Sequence, residues 1–261
     1  MKIAVWQALS TPADVDDNCR RLAAQARQAR AQGAELLVTS EMFLTGYNIG
    51  DDTQTLARLN PLERARDIAR EQQIALIVGG PEFHDGACYN AAHFIDETGA
   101  LVARYAKTHL FGALDRRQFT PGDIPVVTAH WHGLTLAMLI CYDVEFPETV
   151  RAAALAGAEL MCIPTAQMQP FSNVNDYVLP TRAWENQLYI AYANQQGQDG
   201  ELDYVGQSLV VAPSGNVLAK APEQGEALLL AEIDPAQVHK GRDDNPYLTD
   251  LRRSLFAESD G

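Results

Sequence analysis

The sequence predicts an α/β protein built on mixed sheets. Over residues 2–78, three strand-like segments alternate with two helical segments, which is the pattern of a parallel sheet flanked by helices. Two further pairs of strands, 89–96 with 101–105 and 208–212 with 216–219, are joined by short turns that contain glycine, which is typical of antiparallel hairpins. Both kinds of pairing together favour a mixed sheet over a purely parallel one.

Each element is predicted from its own pattern. Short apolar runs predict buried strands, and apolar residues that recur every three or four positions predict helices that bury one face. A loop is expected at 108–123, and a polar, irregular tail from about 234. The remaining predicted strands are 2–7, 36–39, 74–78, 134–140, 160–163, 188–194 and 228–233, and the predicted helices are 14–32, 53–73, 150–156 and 173–186.

Composition narrows the range of functions. The 261 residues carry 34 acidic against 20 basic side chains, a formal net charge of −14, which disfavours binding to nucleic acid or to an anionic membrane. The chain begins Met1-Lys2 and continues into a strand, with no leader and no apolar run of membrane-spanning length, so we expect a cytoplasmic protein. The four cysteines form no C-x-x-C pair, and we expect them to be reduced.

Cys141 lies at the carboxyl end of the apolar strand 134–140. Acidic residues and an alanine-rich helical segment follow it, so the thiol is expected on a strand-to-helix turn. The N–H groups at the start of a helix favour a thiolate, which makes Cys141 a candidate nucleophile. The alternative is a cysteine that only fills space in the core, as buried cysteines commonly do.

Several common site motifs are absent from the sequence. It contains no glycine motif for dinucleotides or a P-loop and no H-E-x-x-H, and His130 and His132 have no further ligand at metal-binding spacing, so neither a cofactor nor a metal is expected. Ser208 is not predicted as a nucleophile, because Val210 replaces the second glycine of that motif. His109 is the only histidine considered as a partner for a catalytic thiol, and nothing in its loop is expected to orient it.

Three strand ends carry residues that together suit acyl transfer. Glu41 follows the strand 36–39, Lys107 follows 101–105, and Cys141 follows 134–140. Ligands of open α/β sheets bind outside such carboxyl ends. A carboxylate can take the thiol proton while an ammonium stabilises both the thiolate and an oxyanion. Taken singly, Glu41 could cap its loop and Lys107 could be a solvated surface charge.

The chain resembles the nitrilase superfamily of carbon–nitrogen hydrolases in three stretches: SEMFLTGY around Glu41, RYAKTHLF around Lys107 and LICYDVEFP around Cys141. The resemblance implies one domain over residues 1–261 with a four-layer α-β-β-α sandwich, and dimers that pack sandwich to sandwich. It also implies that Glu41 is the general base, Lys107 the oxyanion donor and Cys141 the nucleophile. The stretches THLFGALDRRQFTPG and TRAWENQLYIAYAN look most like the aliphatic and R-stereoselective amidase branch.

The sequence departs from the family pattern at two positions. Asp115 stands where the family usually has a second glutamate after the lysine, and this carboxylate is shorter by one methylene. Gln167 follows Pro164-Thr165-Ala166 where a tryptophan is frequent, so the acyl pocket is not assigned from the sequence.

The resulting hypothesis is a cofactor-free amidase that converts a small, non-peptide carboxamide to acid and ammonia through a thioester on Cys141. We expect a homodimer or a higher homo-oligomer. A nitrilase or N-carbamoyl-amide hydrolase is the alternative within the family, and a non-catalytic ligand-binding relative is the alternative outside catalysis. The Tyr142 N–H is expected to complete the oxyanion hole, and Asp115 is the auxiliary carboxylate. The expected substrate-binding residues are Tyr47, Tyr142, Glu145 and Thr165.

Overall fold

The computed structural model of the chain describes residues 1–255, which contain strands β1–β14 and helices α1–α8. The strands are β1 (Lys2–Gln7), β2 (Leu36–Val38), β3 (Ala75–His84), β4 (Ala87–Ile95), β5 (Leu101–Ala106), β6 (Thr128–Trp131), β7 (Leu134–Met138), β8 (Leu160–Thr165), β9 (Tyr189–Asn194), β10 (Gln196–Asp199), β11 (Leu202–Val205), β12 (Leu209–Val211), β13 (Val217–Lys220) and β14 (Ala227–Glu232). The helices are α1 (Val15–Ala31), α2 (Asp52–Arg58), α3 (Leu62–Gln72), α4 (Gly112–Gln118), α5 (Pro147–Leu155), α6 (Leu179–Asn186), α7 (Pro235–Asp244) and α8 (Tyr247–Asp250). A 3₁₀ turn (Cys141–Glu145) precedes α5, and a π-helical turn (Val174–Val178) precedes α6.

Twelve of these strands form two six-stranded mixed sheets. The first has the order β14-β1-β2-β3-β4-β5 and the second β13-β12-β9-β8-β7-β6. In the first sheet, β1, β2 and β3 are parallel, and the other neighbours are antiparallel. The second sheet repeats this arrangement with β7, β8 and β9 as its parallel strands. The chain is therefore built from two similar halves.

The two sheets pack face to face, and helices cover their outer faces. Ile3 and Val38 of the first sheet share one hydrophobic cluster with Leu136 and Ile163 of the second. On its other face the first sheet packs against α1 and α3, and the second sheet packs against α5 and α6. This is the four-layer α-β-β-α sandwich that the resemblance implied, and the fold prediction is confirmed.

Three predicted segments differ from the structure. The helix expected over 53–73 is divided into α2 and α3, because Asn60 has a positive φ of 50° and Pro61 follows it. The loop expected over 108–123 contains α4, whose buried face carries Asp115 and Gln118 instead of apolar residues, so the helical pattern was hidden.

The tail expected to be irregular from about 234 contains α7. Asp234 caps this helix by accepting a hydrogen bond from the Ala236 N–H, Pro235 occupies its first turn, and Val238 is buried. The hairpin of β10 and β11 and the edge strand β6 were not predicted, because these strands are short. No helix within residues 1–255 combines the length and the apolar composition needed to cross a membrane.

Gly79 in β3 allows the chain around Glu41 to pass close to the first sheet. A Cβ atom at this position would lie 2.5 Å from the Ser40 carbonyl oxygen and 2.7 Å from the Met42 nitrogen. Both are backbone atoms, which cannot rotate away as the end of a side chain can. The segment that carries Glu41 therefore reaches its place only because residue 79 has no side chain.

We predict that Gly79→Ala lowers the free energy of unfolding by about 1–3 kcal/mol, the usual cost of overpacking, and displaces Glu41. Gly241→Ala is the control, since its Cβ would meet mainly the end of the Gln187 side chain. Urea unfolding of both variants measures the difference. Equal stabilities would contradict a backbone clash at Gly79.

Candidate active site

The three strand ends that carry Glu41, Lys107 and Cys141 meet at one site between the two sheets. Lys107 Nζ lies 2.8 Å from Glu41 Oε1, and both side chains are fully buried. Cys141 is near enough for both charges to act on its thiol. The structure thus brings together the three residues that the sequence pattern selected.

Lys107 lies between two buried carboxylates. Besides Glu41 it contacts Asp115, whose Oδ2 is 2.7 Å from Nζ. Asp115 also accepts hydrogen bonds from the Tyr47 hydroxyl at 2.7 Å and from the Phe111 N–H at 2.8 Å. The shorter side chain of Asp115 therefore still reaches the lysine, because α4 brings its backbone close.

For both Lys107 and Glu41, burial shifts the pKa in one direction and the neighbouring opposite charges shift it in the other. Burial alone would lower the pKa of Lys107, but the carboxylates of Glu41 and Asp115 outweigh burial and hold this pKa well above its ordinary value. Burial raises the pKa of Glu41, and Lys107 only partly offsets this effect. A carboxylate with a raised pKa is a stronger base, as a general base requires.

One oxygen of the Glu41 carboxylate accepts hydrogen bonds, and within residues 1–255 the other has no partner. Oε1 accepts hydrogen bonds from Lys107 Nζ and, at 2.7 Å, from Asn90 Nδ2. Oε2 is buried and has no hydrogen-bond partner within residues 1–255. A buried acceptor without a partner is costly, so this oxygen is available for a proton from another group in the site.

Cys141 begins the 3₁₀ turn with a strained backbone. Its φ is +46°, which is uncommon for a residue with a side chain and is found mainly where a structure imposes it. Two residues later, the buried Asp143 accepts a hydrogen bond from the Ile140 N–H at 3.2 Å and so closes the turn around Cys141. The expected strand-to-helix turn is present, with a 3₁₀ turn before α5.

The start of the helix was expected to favour a thiolate at Cys141, and the structure adds larger effects that act against it. Burial, followed by the negative charge of Glu41, raises the pKa of this thiol well above its ordinary value, and the opposing effects of Lys107 and the Ala166 N–H are smaller. The start of the helix is visible in the sequence, whereas the full burial of the sulfur is not. The resting group is therefore a thiol that needs a base.

His109, which was expected to be unoriented, is held in place by Asp143. Its Nδ1 lies 2.8 Å from Asp143 Oδ1, its backbone N–H donates to the same oxygen at 2.9 Å, and its ring stacks on Phe146. Asp143 raises the pKa of His109. Because Tyr105 and Thr108 also donate to Asp143, this carboxylate joins the Lys107 loop to the Cys141 turn.

A narrow cavity opens above Cys141. It offers about 10 Å³ to the centre of a water molecule, which is room for about one water. Of the expected substrate-binding residues, Tyr47, Tyr142 and Glu145 line this cavity, whereas Thr165 does not. The wall also contains residues that the sequence analysis did not select as binding residues: Phe111, Ala166, Gln167, Met168 and Phe171.

Thr165 instead lies behind the cavity wall. Its carbonyl oxygen accepts a hydrogen bond from the Glu41 N–H at 3.2 Å, and its hydroxyl donates to the Ile163 carbonyl at 3.1 Å. Gln167, two residues further, has its Oε1 3.8 Å from Cys141 Sγ. The position that lacks the family's frequent tryptophan is thus occupied by a polar side chain in contact with the thiol.

Two buried amides that position Glu41 were also missed. Asn90 binds the Glu41 carboxylate, and Gln195 Nε2 donates to the Glu41 carbonyl oxygen at 3.0 Å. A polar residue within a buried strand was the available signal for Asn90. Within residues 1–255, no group of three or more histidine, cysteine, aspartate or glutamate side chains could hold a metal ion.

Comparison with known proteins identifies the family. The family model for carbon-nitrogen hydrolases matches residues 2–243. The chain is 41% identical to the "Hydrolase in pqqF 5'region" of Pseudomonas protegens, over 98% of this chain and 90% of that relative. It is 34% identical to an (R)-stereoselective amidase of a Pseudomonas species, over 99% of this chain and 94% of the relative.

Solved structures give the same result. The amidase from Nesterenkonia sp. AN1 superposes with a TM-score of 0.90 at 35% identity, covering 98% of this chain and 95% of that one. That structure is a glutamate-to-glutamine variant with the acetamide moiety of fluoroacetamide added covalently to its active-site cysteine. An alanine variant of the same amidase binds butyramide.

The chain belongs to the carbon-nitrogen hydrolase family, as the sequence analysis predicted. The Pseudomonas relative of 34% identity and the superposed structure are both amidases, and that structure carries a covalent adduct on its active-site cysteine. Cysteine-dependent amide hydrolysis is the activity that the fold and these comparisons support.

Proposed function

We propose that this chain hydrolyses a small, non-peptide carboxamide to a carboxylic acid and ammonia through a thioester on Cys141. The observation that carries the proposal is the buried contact between Lys107 and Glu41 beside a thiol with a raised pKa. Such a thiol is inert until a base removes its proton, and Glu41 has a buried oxygen available for this purpose.

The first half-reaction is proposed as follows. Glu41 takes the proton of Cys141, the sulfur attacks the amide carbon, and Glu41 returns the proton to the nitrogen, so that ammonia leaves and a thioester remains. In the second half-reaction Glu41 takes a proton from water, the hydroxide attacks the thioester, and the thiol leaves with that proton. The net reaction consumes one amide and one water.

Lys107 and the Tyr142 N–H are proposed as the oxyanion hole. Two of the three N–H groups of the Lys107 ammonium are used by Glu41 and Asp115, which leaves one for the substrate oxygen. Tyr142 is the second residue of the 3₁₀ turn, where a backbone N–H has no acceptor within the turn. Tyr47, Tyr142 and Glu145 are proposed to contact the substrate, and Thr165 to support Glu41 from behind.

The substrate class is tested by comparing amides with the matching nitriles. We expect ammonia release from small amides, and a hydroxamate when hydroxylamine intercepts the thioester. We expect weak turnover of nitriles, since a nitrile must also take up water before ammonia can leave. Faster turnover of nitriles would favour a nitrilase, turnover of N-carbamoyl compounds alone would favour that hydrolase, and no turnover would favour a ligand-binding relative.

A second prediction separates the base from the nucleophile. Glu41→Gln should reduce turnover at least about 10²-fold, the usual loss for a general base. It should nevertheless speed alkylation of Cys141 by iodoacetamide at neutral pH. The negative charge of Glu41 raises the pKa of the thiol, so its removal lowers this pKa and increases the thiolate fraction.

Lys107→Ala is the matched contrast, because Lys107 lowers the pKa of the thiol. This variant should lose both turnover and alkylation. Mass spectrometry of labelled peptides locates the modified cysteine, and Cys19, Cys88 and Cys162 serve as internal controls, since all three are buried. Preferential labelling of one of these three with activity retained would contradict the assignment of Cys141.

The role of Asp115 is tested by Asp115→Asn, which keeps the size of the side chain but removes its charge from Lys107. We expect at least a tenfold loss of kcat with KM less affected, because the lysine would be held less firmly where the oxyanion develops. A rate close to that of the unmodified protein would mean that Asp115 does not perform the role of the family's second glutamate.

We also propose a homodimer or higher homo-oligomer and a cytoplasmic location. Exposed aromatic side chains on the helical segment before β9, Tyr177 and Trp184, support association with a second copy. Four unpaired cysteines support a reducing compartment. Analytical ultracentrifugation at several concentrations tests the first proposal, and a monomer throughout would reject it.

A further inference from the structure

We propose that the substrate carries a protonated amino group on the carbon next to its amide, and that the Glu145 carboxylate binds this ammonium. The inference rests on the proposed amidase function and narrows its substrate class to amides of amino acids. It is carried by an acidic side chain in the cavity wall that has no cation of its own.

Glu145 has no ion-pair partner in the part of the chain that the structure describes. Its side chain lines the cavity together with Cys141 and is only partly exposed. The cation nearest to the cavity floor, Lys107, is already bound by Glu41 and Asp115. The site therefore holds more negative than positive charge. The partly buried carboxylate of Glu145 is stabilised when a cation binds beside it.

Arg182, the other nearby cation, is committed to different acceptors. Its Nε donates to the Val144 carbonyl at 3.1 Å, one terminal nitrogen donates to the Glu145 backbone carbonyl at 2.8 Å, and the other is 3.0 Å from Glu185. Arg182 thus holds the backbone of the turn and leaves the Glu145 carboxylate to face the cavity. Burial raises the pKa of Glu145, which a bound cation would reverse.

Aromatic rings complete a surface that suits an ammonium group. Phe111 packs against Tyr142 and Phe171, with ring centroids 5.2 Å and 6.0 Å apart, and all three rings line the same cavity as Glu145. Aromatic faces attract cations, and a carboxylate beside them adds a charge-assisted hydrogen bond. A purely aliphatic acyl group would leave this carboxylate partly desolvated and unpaired.

The geometry places the ammonium close to the attacked carbon. Cys141 and Glu145 line the same cavity, and Gln167 forms part of its wall: its Oε1 is 3.8 Å from Cys141 Sγ, and its Nε2 donates to the Phe171 carbonyl at 3.3 Å. The nitrogen of an α-amino group is two bonds from the attacked carbonyl carbon, so it would lie beside the cavity wall that Cys141 and Glu145 share. Small amides with an α-amino group meet this condition.

The test uses two amides of nearly the same shape, alaninamide and isobutyramide, which differ by an ammonium in place of a methyl group. An α-amino group has an ordinary pKa of about 7.7–8.0, so most alaninamide is charged at pH 7. Both enantiomers are measured. We expect kcat/KM for the better enantiomer to exceed that for isobutyramide by at least about tenfold, mainly through a lower KM.

Glu145→Gln should reduce this preference at least about tenfold, while Glu148→Gln, an exposed glutamate three residues away, should keep it. The ratio of kcat/KM for alaninamide to kcat/KM for isobutyramide is compared between each variant and the unmodified protein. The intrinsic effect of the ammonium on the reactivity of the amide is the same in all of them and cancels. An unchanged ratio in Glu145→Gln would overturn the inference. So would a protein that hydrolyses other amides but does not prefer alaninamide.

Direct binding gives a second measurement that needs neither turnover nor a variant of Glu145. Calorimetry with Cys141→Ala should detect alaninamide at lower concentration than isobutyramide. If no amide is hydrolysed by the unmodified protein, the proposed function fails, and this binding comparison still decides the role of Glu145. Equal binding of the two amides, or none, would reject an ammonium site.

Discussion

The structure depends on one buried ammonium held between two buried carboxylates. Burying a charge is costly unless opposite charges and hydrogen bonds compensate for it, and removal of one partner of a buried pair costs about 3–5 kcal/mol. Lys107 meets this condition with Glu41 and Asp115, which come from different parts of the chain. Tyr47 donates to the other oxygen of Asp115, and Asn90 adds a second hydrogen bond to the Glu41 oxygen that contacts Lys107. The loop after β2, the hairpin of β4 and β5, and α4 must therefore all be in place together.

A third carboxylate, that of Asp143, joins Cys141 to the same assembly. It binds the backbone beside Cys141 on one side and Tyr105, Thr108 and His109 on the other. Since β5 belongs to the first sheet and β7 to the second, Asp143 fixes how the two sheets meet at the site. The positive φ of Cys141 persists because this contact and the following helix determine the turn from both ends.

The same burial explains the chemistry. With water excluded, the charge of Glu41 raises the pKa of the neighbouring thiol, and the carboxylates raise that of Lys107. Every charge in the site thus alters the protonation of its neighbours, and a proton transferred from sulfur to Glu41 changes the charge that Lys107 faces. Glu145 lines the cavity and belongs to no ion pair within residues 1–255, so its carboxylate lies outside the buried group of charges, as the proposed ammonium site requires.

The sequence by itself determined most of the strands, the main helices and the convergence of Glu41, Lys107 and Cys141. A short apolar run predicts a buried strand, and Glu41, Lys107 and Cys141 each follow such a run. Their convergence could therefore be predicted, because the carboxyl ends of the strands in an open α/β sheet meet at one site. Only the tertiary structure decided what lies around them. The helix α4 and the contact of Gln167 with the thiol were not predictable, because their buried faces are polar and carry no periodic signal. The raised pKa of the Cys141 thiol was not predictable for a related reason: it depends on burial by residues distant in the chain, and the local sequence shows only the helix start, which acts in the opposite direction.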